Sequence, residues 1–158
     1  MQAMYAASMP DTTPSEVFSQ LLVDDYQALH KKFVEAPDRD NDAEYLKNLF
    51  YGALQHQAAY EQLLTERVAN WDIRRIATID KILLLLGIHE MLHCPEIPVK
   101  VSINEYIDIA KAYSTEKSSQ FVNGILDAIY NELNREEKIQ KFGKGLLESG
   151  QPNRAPNE

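Results

Sequence analysis

The chain has a single cysteine, Cys94, a single tryptophan and six scattered glycines in 158 residues. A lone cysteine rules out a disulfide framework and suits a reducing compartment. Scattered glycines leave no glycine-rich loop of the kind that cradles phosphates. Long apolar runs are missing too: the longest, residues 82–88, is far too short to cross a bilayer. No basic segment followed by an apolar stretch opens the chain, so no signal peptide is expected and the cytoplasm is the expected location. Bases are also scarce, with 16 Lys and Arg against 24 Asp and Glu, a net charge of −8. Residues 1–70 carry 11 acids against 5 bases, and residues 71–158 carry 13 against 11. That balance argues against a broad electrostatic grip on nucleic acid, which draws on clustered Lys and Arg.

What is present is helical period. An apolar fraction of 44% and a charged fraction of 25% are ordinary for a globular domain of this length. "TPSE" is a start signal, with Thr13 as N-cap, Pro14 in the first turn and Glu16 closing a capping box. Phe18, Leu21, Leu22, Leu29 and Phe33 then mark one helical face. "DRDND" reads as a polar loop, with Asn41 or Asp42 capping the next helix. An apolar stripe runs through Tyr45, Leu49, Phe50 and Ala53 and resumes at Tyr60, Leu64 and Val68. From Asp72 to about His93 the pattern changes: residues 82–86 are apolar on every face, which predicts a buried central helix. Pro95 and Pro98 end it. Ser102 and Glu105 read as a second capping box, and Ser114 as the cap of a last helix running to about Lys141. The expected product is an all-α domain over residues 1–141, its first helix truncated at the N-terminus, followed by a disordered tail over 142–158.

His89-Glu90-Met91-Leu92-His93 matches H-E-x-x-H, in which histidines one turn apart bind zinc and the glutamate acts as general base. This is the sharpest enzymatic reading, a zinc metalloprotease. Against it, no third ligand is evident in the sequence and Pro95 cuts the helix short. His30 and His56 read as isolated surface or core-edge residues. The expectation is therefore no metal, no cofactor and no catalytic residue. Within the last helix, "FVNGILD" places a turn dipeptide, Asn123-Gly124, beside Phe121 in the middle of an apolar face.

"NWDIRRIATIDKILLLLGIHEML" and "IPVKVSINEYIDIAKAYSTEKSSQFVNGILD" resemble the C-terminal two-thirds of the NusB family of bacterial transcription antitermination factors. "KVSINEYIDIAK" and "FVNG" carry the resemblance most specifically, and "MQAMY" is similar to the Q-A-L-Y segment of the family's first helix. The resemblance implies two small helical bundles packed around the central helix. It also implies binding rather than catalysis: boxA-like single-stranded RNA held together with ribosomal protein NusE, within the RNA polymerase antitermination complex on ribosomal RNA operons. By the same resemblance, Lys117, Gln120, Phe121 and Lys100 would face RNA, and Tyr5, Asp80 and Glu90 would face NusE. Phe121 carries two readings, a base-stacking residue or a core residue. Gly124 is expected to allow close packing of one helix on another. The family's arginine-rich segment would precede Met1, Leu85 stands where an arginine is usual, and His89 stands where a tyrosine is usual. A helical protein-interaction module without RNA binding is the main alternative, and the same domain also occurs as an RNA-binding appendage of RNA cytosine methyltransferases.

Overall fold

The computed structural model describes residues 39–67 and 76–146. Five helices account for most of them: α1 (Arg39–Gln55), α2 (Gln57–Arg67), α3 (Thr78–His93), α4 (Val99–Tyr113) and α5 (Glu116–Arg135). A 3-10 turn, Gly143–Leu146, follows. No strand occurs among the described residues, and no helix among them is long and apolar enough to cross a membrane. The helix expected from Thr13 to about Ala36, and the first helix expected at "MQAMY", lie outside the described residues.

The all-apolar run dictates the architecture. Asp80 and every residue from Ile82 to Met91 is buried. A helix buried on all sides needs neighbours on all sides, and α3 packs against each of the other four helices. Leu83, Leu84 and Ile88 are fully enclosed, joined by Leu64 from α2 and by Val122 and Leu126 from α5. Each such leucine contributes about 1.5–3 kcal/mol through removal from water. Ion pairs tie the periphery together, Lys81–Glu61 at 2.8 Å joining α3 to α2 and Arg67–Glu132 joining α2 to α5.

Element ends differ from the sequence expectation in several places. Arg39 to Asp42 already belong to α1, so "DRDND" is not a loop there. The central helix begins at Thr78, and Ile76 and Ala77 before it are not helical. Pro98, with φ −60° and ψ 139°, is the N-cap of α4, and the Ser102 N–H bonds back to its carbonyl. Ser102 therefore sits inside the helix, buried, with no partner for its hydroxyl, and forms no capping box. Thr115 rather than Ser114 caps α5: its Oγ1 accepts from the Ser118 N–H at 3.1 Å. Helix α5 stops at Arg135, six residues short of Lys141. The Lys138 N–H reaches the Leu133 carbonyl and the Glu137 N–H the Asn134 carbonyl, with Glu137 at φ 55°. That is a Schellman stop built without glycine. Beyond it the chain turns back onto the end of α3, where Lys141 Nζ donates to the Cys94 carbonyl at 2.8 Å and the Phe142 N–H to Pro95 at 3.2 Å.

Candidate functional site

On α5, Lys117, Gln120, Phe121 and Gly124 recur at three- and four-residue spacing and so share one face. Lys117, Gln120 and Gly124 are exposed, while Phe121 is half-buried and packs against the edge of the core. The two readings of Phe121 meet in this position: part of the ring is packed and part is accessible. Among the described residues, a Cβ on Gly124 would meet nothing within 4 Å. The expectation of close helix packing at Gly124 is thus corrected, and the glycine instead leaves a gap in the side-chain row beside Phe121. Close packing falls at Gly87 of α3, where a Cβ would lie 3.0 Å from Leu126 Cδ2.

Lys100 is exposed but stands apart from this strip. It lies in the first turn of α4, and α4 and α5 are joined only by Ser114 and Thr115. In such a helical hairpin the first turns point to opposite ends, about 20 Å apart at 1.5 Å per residue. Tyr5 lies outside the described residues. Asp80 and Glu90 are buried, at 5% and 4% exposure, rather than presented at the surface as an interface would need. Glu90 Oε1 accepts from the hydroxyls of Tyr45 and, at 3.4 Å, Tyr106, so it holds α1 and α4 against α3. Burial, with the Glu90 carboxylate next, pushes both phenols well above their ordinary range. Asp80 Oδ1 is buried without a partner. Leu85 is core.

A second cluster was not legible in the sequence. His56 occupies the corner between α1 and α2, and the fold lays it over His89 and His93 of α3. Ring centroids lie 5.8 Å apart for His56 and His89, 5.0 Å for His56 and His93, and 4.5 Å for His89 and His93. One nitrogen from each ring falls within 4.8 Å of the others. The expectation that a third donor is lacking is corrected here, since His56 supplies it from 33 positions before His89. Desolvation lowers the pKa of His89 to about 4 and lowers that of His93, the neighbouring rings adding to it. Beside them, Cys94 is buried and its thiol is pushed up to about 11, first by desolvation and then by Glu90 and Glu96. It is a packed thiol, not a nucleophile.

The helices enclosing α3 define the fold class, and solved structures share it. A chain in the crystal structure of the antitermination factors NusB and NusE with double-stranded RNA superposes with a TM-score of 0.68 at 23% identity, over 83% of this chain and 89% of that one. At that identity the likeness speaks for the fold alone. Sequence comparison goes further: the NusB family model matches residues 1–131. The chain is 36% identical to the transcription antitermination protein NusB of Chloroherpeton thalassium, over 94% of this chain and 65% of the relative. It is 38% identical to that of Salinibacter ruber, over 77% of this chain and 76% of the relative. The chain belongs to the NusB family.

Proposed function

We propose that the chain is a transcription antitermination factor that binds boxA-like single-stranded RNA together with ribosomal protein NusE, supporting ribosomal RNA transcription. The observation that carries this reading is the family match across residues 1–131. The exposed strip on α5 supports it physically. Lys117 offers a cation for phosphate, Gln120 a hydrogen-bonding edge, Phe121 a stacking face, and Gly124 the space for a base to approach. Stacking and a few local cations serve single strands without a broadly basic surface, which reconciles RNA binding with a net charge of −8. The role of the trio of NusE-facing residues named by the resemblance is narrower. With Asp80 and Glu90 buried, their side chains offer little to NusE, and of the three only Tyr5 keeps the role that the resemblance gives it. The reading is one of binding, because Glu90 is committed to two tyrosines and Cys94 is neutral and enclosed.

Fluorescence anisotropy with a labelled boxA-like RNA, with and without NusE, tests it. Weak binding by the chain alone and affinity at least tenfold higher with NusE are expected. Complex formation with NusE but no RNA binding in either case would favour the interaction module without RNA.

A further inference from the structure

We propose that His56, His89 and His93 form a binding site for a divalent transition-metal ion of the zinc class, fastening the α1–α2 corner to α3. Three imidazoles from two elements converge, one nitrogen of each within 4.8 Å of the others. Zinc–nitrogen bonds of about 2.0–2.1 Å put ligand nitrogens roughly 3.3 Å apart in a tetrahedron. Small ring rotations at the half-buried His56 and the exposed His93 supply the closure.

At His56 the hydrogen bonding leaves Nε2 to ligate, while at His89 Nε2 also lies 3.5 Å from Asn48 Oδ1, a long contact that metal binding would replace. His56 Nδ1 donates to the Gly52 carbonyl at 2.9 Å, leaving Nε2 with its lone pair. His89 Nδ1 lies 2.9 Å from the Tyr60 hydroxyl, which accepts from it when Nε2 binds metal. Such outer partners fix tautomer and orientation at metal-binding histidines. Gly52 matters as well: a Cβ there would overlap Cε1 and Nε2 of His89, so only glycine leaves the tip of that ring room. The exposed His93 opens the site to solvent, from which water fills a fourth position. The carboxylate of Glu90 is held by Tyr45 and Tyr106 and is not available as a general base. The site is accordingly one that binds and fastens, not one that hydrolyses.

The test uses the untagged full-length chain, titrated with Zn²⁺ against a chromophoric chelator and with Co²⁺ by visible absorption. One ion per chain is expected, with the absorption of tetrahedral Co²⁺. His56→Ala and His93→Ala, each with an unchanged circular dichroism spectrum, should weaken Zn²⁺ binding at least tenfold. Zn²⁺ at a hundredfold excess over Kd should raise Tm by about 5 °C or more in the wild type and not in either variant. Absence of saturable 1:1 binding, or full affinity retained in His56→Ala, would overturn the proposal. The site is separate from the α5 strip, so neither outcome touches the RNA reading.

Discussion

Gly124 is the residue at which local stability and surface function part company. It stands in the middle of α5, exposed, and an added Cβ would meet no atom of the described residues within 4 Å. Glycine in a helix interior costs about 0.5–1 kcal/mol relative to alanine, and no packing constraint offsets that here. Gly124→Ala should therefore raise the urea midpoint by an amount equivalent to about 0.5–1 kcal/mol at unchanged m-value. A loss of stability instead would mean that a neighbour does approach this position. That Lys117, Gln120 and Phe121 share one accessible face of α5 was legible in their helical spacing, and the family resemblance proposes what that face binds. The burial of Asp80 and Glu90 was not. An acid on an apolar helix reads as surface until the tyrosines that hold it, from positions 45 and 106, are seen to arrive.

Among the elements, α3 was the most legible, since five apolar residues in a row demand burial and the longer run from Thr78 to His93 without Pro favours a helix over a strand. Helix ends were less so, because caps follow backbone geometry that several residue types satisfy. Pro98 took the position expected of Ser102, and Thr115 the one expected of Ser114. The end of α5 was invisible because its left-handed residue is Glu137, not glycine. A side chain in that conformation costs roughly 1–2 kcal/mol, and the two Schellman hydrogen bonds hold it there. Glu137→Gly should accordingly stabilise the domain by about 1 kcal/mol, read as a Tm increase of a few degrees. A lower Tm would place the stop elsewhere, with Lys138 and Lys141 contributing through their own contacts.

At the scale of the whole molecule, four of the five described helices pack around the fifth, α3, and two features reach the surface of the described residues. One is the α5 strip; the other is the histidine cluster at the α1–α2 corner. The first was foreseeable, because its members lie within one helix. The second was not, because His56 reaches His89 only through the packing of α1 and α2 on α3, and spacing along a chain carries no information about that angle. Under the proposed function Phe121 stacks its accessible face on an RNA base, and boxA-like RNA titrations beside NusE, wild type against Phe121→Ala, measure that contact. Stacking is worth about 1–3 kcal/mol per base, so the variant should bind roughly tenfold or more weakly while its circular dichroism and fold remain those of the wild type. Unchanged RNA affinity in a folded Phe121→Ala protein would contradict base stacking at this position and leave Phe121 as a core residue alone.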